Sequence, residues 1–324
     1  MPTNLKVEVV EIGELEKHPN ADTLSIVKVK GWQCIVKTDE FKDVKLAAYI
    51  PIDSLIPESL QTVIPVKRIK TIRLRGIISQ GVLLPVRENW KAGDDVSEEL
   101  RITKYEPPEP TILGGEDTYT PEGFIKYTDI ERIQNYPNII TPDMEVVISE
   151  KLHGTNFRVA MLDGKFYVGS HRNTKKRAEG DKKETVYWQM ALQEDIENKL
   201  RRQGYNNLVL FGEIFGSGIQ KLHYDCVQNE RKVAFYDIWQ NGGYLDFNKS
   251  WNCILKLELP CAPIFYQGKF DIPLSLYDER KTYYGGAHNI EGVVIKPVKE
   301  MFNEEIGRVV LKYISPVYLL RGGE

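Results

Sequence analysis

Short, β-branched apolar runs separated by turn residues dominate this chain. Mixed apolar and polar alternation at residues 5–10 and 24–30 brackets the turn-rich His18-Pro19-Asn20-Ala21-Asp22, which predicts two strands. Further short runs lie at Cys34–Val36, Leu46–Ile50, Ile69–Leu74 and Gly81–Val86. Several short strands with turn signals and little helix predict a compact barrel. Further on, Met144–Ile148 reads as a short buried strand. Asn156–Met161 and Phe166–Gly169, joined by Asp163-Gly164, give a strong hairpin signal. Glu184–Arg202 predicts a helix with Tyr187, Met190, Ala191, Ile196 and Leu200 mostly on one face and Gly204 as its stop. Leu208–Phe215 is nearly continuous in apolar residues and reads as a buried strand.

Between these halves, Tyr105–Phe124 carries Pro107, Pro108, Pro110 and Pro121 together with Gly114, Gly115 and Gly123. Proline and glycine at this density predict a linker. The expected division is a first domain over 1–105, a linker over 106–124 and a second domain over 125–324.

At 324 residues the chain suits two domains, and it can bury a substantial core. Its 43 Lys+Arg against 46 Asp+Glu leave a net charge of −3, so any nucleic-acid surface must be local. The hydrophobic fraction of 42% with 27% charged residues matches an ordinary globular protein. Cys34, Cys226, Cys253 and Cys261 form no C-x-x-C pair and read as reduced thiols, which predicts an intracellular, by default cytoplasmic, setting. No apolar stretch approaches membrane-spanning length, so no membrane partner is expected. The five histidines have no zinc-like spacing.

Candidate chemistry begins at Ser149-Glu150-Lys151-Leu152-His153-Gly154-Thr155-Asn156. Lys151 stands at the lip of the predicted buried strand, where desolvation disfavours the ammonium form. With an unperturbed pKa of roughly 10.4, a nucleophilic lysine needs such a site. Gly154 would let the backbone approach a ligand. Alone, K-x-x-G also fits a surface lysine beside a turn. Glu213 is a carboxylate inside an apolar run, unfavourable there unless paired, which fits either a functional acid or a structural salt bridge. Glu291 and Lys296, five apart, would face opposite sides of a regular strand, so a bulge at Gly292 is expected to bring both to one pocket. Lys67, Arg68, Lys70, Arg73 and Arg75 occur between Val66 and Gly76 without an acid. They fit a phosphate-tracking strand or a charged edge that blocks aggregation. Lys175 and Lys176 begin a second basic loop, with Arg177, Lys182 and Lys183.

The lysine motif is followed in order by Phe211-Gly212-Glu213-Ile214-Phe215-Gly216, Phe235-Tyr236-Asp237-Ile238, Glu291-Gly292-Val293-Val294-Ile295-Lys296 and Leu311-Lys312-Tyr313. This series resembles the covalent nucleotidyltransferases: ATP-dependent RNA and DNA ligases and capping enzymes. The K-x-H-G-T-N form, with His153 and Asn156, resembles the nick-sealing RNA ligases in particular. The resemblance spans roughly residues 125 to 315. His18–Leu24 and Arg73–Leu84 resemble, more loosely, the tRNA-binding OB domains appended to some aminoacyl-tRNA synthetases.

The resemblance implies an α+β protein: an N-terminal OB-type β-barrel, then a nucleotidyltransferase (ATP-grasp-like ligase) domain of antiparallel sheets with flanking helices. It implies that Lys151 takes AMP from ATP, with Mg²⁺ or Mn²⁺, and passes it to RNA bearing 3′-OH and 5′-phosphate ends, a nicked duplex among them. Ser149, Glu150, Leu152, Asn156, Arg172, Glu213, Lys296 and Lys312 would bind the nucleotide, and Phe235 would stack on adenine. Glu291, and Glu213 directly or through water, would hold the metal. Lys67, Arg68, Arg73, Arg75, Lys175 and Lys176 would contact RNA, and a monomer is expected. A GTP-using capping enzyme, a DNA ligase, and a tRNA-binding module without activity are the alternatives.

Overall fold

The structure is a computed structural model that describes residues 5–106 and 115–321. The described residues form two compact units, one from 5–106, 131–138 and 316–321, the other from 115–130 and 139–315. The chain thus returns twice to the first unit, where the sequence suggested a single division at 106–124. Local bonding accounts for the returns. Trp32 Nε1 donates to Asn135 Oδ1 at 2.8 Å, Gly31 N–H donates to the Gln134 carbonyl at 3.0 Å, and Leu319 packs on the first core. Of the expected linker, residues 107–114 lie outside the described residues.

In the first unit the strands of four or more residues are β1 (Glu8–Glu11), β2 (Leu24–Val29), β3 (Trp32–Lys37), β4 (Leu46–Ile50), β5 (Thr71–Leu74), β6 (Ile77–Gln80) and β7 (Val82–Pro85). Strands β1, β4 and β7 form an antiparallel sheet, β2 pairs with β3, and β5 pairs with β6. Alternation along β3 buries Trp32, Cys34 and Val36 in a core shared with Val9, Val27, Ala47 and Ile50, the period of two that a pleated strand imposes. His18 belongs to this scaffold. It is buried, its Nδ1 accepts the Asn20 N–H at 3.0 Å, and its Nε2 lies 3.3 Å from the Leu74 carbonyl.

The second unit begins with β8 (Asp117–Thr118), a two-residue strand inside the segment expected to sustain none. It continues with β9 (Glu145–Lys151), β10 (Thr155–Leu162), β11 (Lys165–Gly169), β12 (Thr174–Lys175), α1 (Val186–Gln193), α2 (Ile196–Arg202), β13 (Leu208–Gly216) and β14 (Arg231–Gln240). Then come β15 (Gly243–Tyr244), α3 (Phe247–Lys256), β16 (Ile264–Lys269), β17 (Gly292–Pro297) and β18 (Leu311–Ile314). The single helix expected over 184–202 is two, because Asp195 takes a left-handed φ of 51° between them. The β10–β11 hairpin turns at Asp163-Gly164, both at positive φ, as a primed turn requires.

One sheet runs β8-β12-β11-β10-β13-β14-β15, and another places β18, β17, β9 and β16 side by side. Side chains of α1, α2 and α3 pack on one face of the first sheet, against Phe157, Leu210, Ile214 and Phe235. Its other face turns Phe211, Phe215, Ala234 and Tyr236 toward smaller clusters with Tyr127, Leu152 and Ala262. A bulge breaks the β13–β14 register: Phe211 pairs with Asp237 and Gly212 with Phe235, leaving Tyr236 as the extra residue. Two consecutive side chains, Tyr236 and Asp237, therefore leave the same face.

No register shift occurs at Gly292, contrary to the bulge expected there. Gly292 pairs regularly with Lys151 on one side and Ile314 on the other. What glycine supplies is close approach, since a Cβ would collide with the Tyr313 carbonyl oxygen. Gly292→Ala should therefore lose about 1–3 kcal/mol in urea denaturation, and an unchanged midpoint would contradict this packing.

Candidate active site

A cavity of about 310 Å³ opens beside β9 in the second unit, at the lower end of the range for small-molecule pockets. Its walls include Ser149, Lys151, Leu152, Asn156, Glu213, Tyr236, Lys296 and Lys312. Alternation sends Val147, Ser149 and Lys151 of β9 to this face, and their cross-strand partners Lys296, Val294 and Gly292 with them.

Lys151 Nζ lies 2.6 Å from Glu291 Oε1, and His153 Nδ1 lies 3.0 Å from Glu291 Oε2. Both carboxylate oxygens are thus engaged, and the Glu291 side chain is only 5% exposed. Burial alone would raise its pKa, but the Lys151 ammonium and His153 overcome that and hold it at about 2. A carboxylate in contact with the amine favours the charged form. Lys151 is thus held in an ion pair with a buried acid, an arrangement the sequence did not foreshadow. Glu291 meets Lys151 and His153 from the residue before β17.

Glu213 projects from β13 opposite Asn156. Burial pushes its pKa to about 8, with Glu291 adding to the rise and Lys151 and the Gly154 N–H opposing it. The expected ligand-approach role of Gly154 goes instead to strand packing, because a Cβ there would collide with the Ile214 carbonyl. Among the described residues no group of three or more His, Cys, Asp or Glu is arranged to hold a metal ion. Glu213 and Glu291 still fit a hard divalent ion, which commonly takes one or two carboxylates and completes its shell with phosphate oxygens and water.

Below the cavity, Asp237 is fully buried. Its Oδ1 accepts from Lys296 Nζ at 2.8 Å; its Oδ2 accepts from Arg308 at 2.6 Å and the Tyr127 hydroxyl at 2.9 Å. Glu300 accepts twice from Arg308, each at 2.6 Å. Two acids and two bases balance. Burial works against the Asp237 anion, but Lys296 and Arg308 outweigh it and lower its pKa.

Several expected contacts are redirected. Phe235 has 0% exposure and packs against Phe157 in the helix-side core, so it cannot stack on a nucleotide. The bulge turns Tyr236 to the cavity wall, and its hydroxyl accepts from Asn156 Nδ2 at 2.8 Å. Asn156 Oδ1 is buried without a partner. The Glu150 carboxylate points away, toward the Thr282 hydroxyl at 2.6 Å and the Tyr283 N–H at 3.0 Å. Arg172 is exposed and its neighbour His171 lines the cavity. Arg68 pairs with Asp53 and lies over the Tyr105 ring at 3.6 Å. Lys175 pairs with Asp117 at 2.6 Å, and Lys176 with Glu179 at 3.1 Å. Lys67, Arg73 and Arg75 are exposed. Tyr127, Phe247 and Trp251 also line the cavity; no local pattern in the sequence marks them, since only the tertiary fold brings them together.

A lysine held against a buried carboxylate at the end of one strand, over a pocket with further lysines on neighbouring strands, defines a nucleotidyltransferase-type centre. The RNA ligase family model matches residues 144–314, and the chain belongs to that family. A second family model, described as an OB-fold domain, matches residues 6–86. No curated protein matches the chain. Among solved structures, an RNA ligase variant from Naegleria gruberi with AMP and Mn is similar at 26% identity and a TM-score of 0.82, covering 98% of each chain. The same organism's RNA ligase with PPi shares 26% identity at a TM-score of 0.80, covering 98% of this chain and 99% of that one. A variant with ATP and Mn matches at 26% and 0.80, covering 97% and 98%.

The Glu213 carboxyl makes stability depend on pH. Its folded pKa of about 8 exceeds its ordinary value of 4.5, so its contribution is complete below 4.5, erodes as pH rises, and is gone above about 8. Across that interval the wild type should lose thermal stability relative to Glu213→Gln, with the difference level at higher pH. Parallel melting profiles would contradict the assignment.

Proposed function

We propose that this RNA ligase uses ATP and a divalent cation to join RNA 3′-OH and 5′-phosphate ends, with Lys151 as the residue that carries AMP. The observation that carries this reading is the Lys151–Glu291–His153 arrangement at the wall of a cavity also lined by Glu213, Lys296 and Lys312. The ATP, AMP, Mn and PPi of the Naegleria gruberi structures support the choice of nucleotide and metal.

Three exchanges follow. Lys151 Nζ, once deprotonated, bonds to the α-phosphorus of ATP as the bond to pyrophosphate breaks. The RNA 5′-phosphate oxygen then bonds to that phosphorus and frees the lysine. Finally the 3′-hydroxyl, losing its proton, attacks the RNA 5′-phosphorus and releases AMP. Such transfers depend chiefly on positioning and charge neutralisation.

Adenine packs on Tyr236 in this assignment, while Asn156 and Glu213 meet the ribose side of the nucleotide. Ser149 and Leu152 shape the wall, Glu150 contributes through its backbone, and Arg172 approaches from the rim. Lys312 stabilises charge on the α-phosphate. Lys296 reaches phosphate only by leaving Asp237, which otherwise compensates its charge. Glu291 and Glu213 would hold the divalent ion, which would neutralise phosphate charge.

The first unit serves as the OB module, with Lys67, Arg73 and Arg75 exposed for RNA backbone contact. The substrate is a break with both ends aligned, such as a nicked duplex. Action as a monomer completes this reading. Four free cysteines favour an intracellular setting, and no described helix is long and apolar enough to cross a membrane.

Incubation with labelled ATP and Mn²⁺ should label the wild type and not Lys151→Ala, and the labelled protein should seal nicked RNA. Labelling by GTP in place of ATP would overturn the reading in favour of a guanylyltransferase. Sealing of nicks with a DNA 3′-OH end alone would favour a DNA ligase.

A further inference from the structure

Residues 152–154 connect the end of β9 to the start of β10 and carry His153, one of the two side chains that grip Glu291. A strand pair offers this turn no continuous ladder. Its polar groups are taken up by side chains from elsewhere: the His153 N–H donates to the Tyr224 hydroxyl at 2.6 Å, the Gly154 carbonyl accepts from Gln220 Nε2 at 2.9 Å, and the Gly154 N–H serves the Glu213 carboxylate. Tyr224 and Gln220 both belong to the 217–230 loop between β13 and β14.

That loop adopts an unfavourable conformation to present Tyr224. Tyr224 and Asp225 are consecutive non-glycine residues at φ of 52° and 58°, a region that bulky side chains rarely adopt and that persists only where surroundings enforce it. The enforcement is visible. The Tyr224 ring, with 0% exposure, lies edge-on to Phe215 at 4.8 Å and to His288 at 4.8 Å. Loop-closing bonds run from Ser217 N–H to the Glu230 carbonyl at 3.0 Å and from Cys226 N–H to the His223 carbonyl at 2.9 Å. A phenylalanine would fill the same space. The hydroxyl is the part that packing does not explain, and it reaches the amide two residues after Lys151.

We infer that Tyr224 is a positioning residue for lysine adenylylation: its hydroxyl fixes the 152–154 turn so that His153 and Lys151 hold opposite oxygens of one carboxylate. This rests on the reading of Lys151 as the AMP carrier. With the His153 amide anchored, the imidazole is aimed at Glu291 Oε2 and sets the direction from which the carboxylate presents Nζ to the cavity. Removing the hydroxyl takes this 2.6 Å bond from the buried His153 N–H and loosens the turn. The consequence falls on the geometry of attack and not on nucleotide affinity, because Tyr224 lines no wall of the cavity.

The test is single-turnover labelling of Lys151 over a range of ATP concentrations in wild type, Tyr224→Phe and Gln220→Ala, with melting temperatures alongside. Tyr224→Phe should lower the maximal labelling rate about tenfold or more, keep half-saturation by ATP within about twofold, and still melt cooperatively. Gln220 is exposed, so Gln220→Ala should fold normally and show the same pattern at about threefold. A maximal rate equal to wild type in both variants, or a loss confined to ATP half-saturation, would overturn the inference and leave the ligase reading intact. Should Tyr224→Phe fail to fold, the Gln220→Ala split decides by the same criteria. Absence of label on Lys151 in the wild type would overturn both readings.

Discussion

One carboxylate shared by an amine and an imidazole governs this structure. Glu291 is buried where an anion is unfavourable, and it remains ionised because Lys151 and His153 engage its two oxygens. The same contacts hold Lys151 at the cavity wall. Under the proposed ligase reading, the bond from Nζ to phosphorus forms only as the contact with Glu291 is given up.

The surrounding fold serves this arrangement through a small number of backbone irregularities. A bulge in β14 puts Tyr236 and Asp237 on one face, so a single strand supplies both the cavity's aromatic wall and the acid that holds Lys296. Gly292 lets β18 approach β17, and Gly154 lets β10 approach β13. Each is a place where the chain meets a neighbouring backbone closely next to a functional side chain. Beneath them, the Asp237–Lys296–Arg308–Glu300 cluster balances charge out of water. Removal of one member would strand the others.

Local pattern made much of this legible. The alternation of β3, the buried run of β13 and the Asp163-Gly164 turn follow directly from side-chain periodicity and turn chemistry. Lys151 and Glu213 could be singled out because charged groups beside or inside apolar strands require a reason, and Glu291, Lys296 and Lys312 because their motifs resemble those of the nucleotidyltransferases. What stayed hidden depended on register and on distant partners. Phe235 and Tyr236 are adjacent aromatics, and only the bulge decides which one faces the cavity. Arg68, Lys175 and Lys176 form a basic pattern in the sequence, yet Asp53, Asp117 and Glu116 lie beside them in space. Asp195 broke a helix whose apolar spacing continues across it. The Lys151–Glu291 pair spans 140 positions, beyond the reach of any local rule.

The central claim is that the amine at position 151 receives adenylate after leaving its carboxylate partner. A crystal structure of the protein exposed to ATP and manganese tests it most directly. The account predicts a bond from Lys151 Nζ to the phosphorus of AMP, Glu291 released from that nitrogen, and adenine against Tyr236. AMP bonded to another residue, or a stable AMP complex in which Lys151 still contacts Glu291, would contradict it.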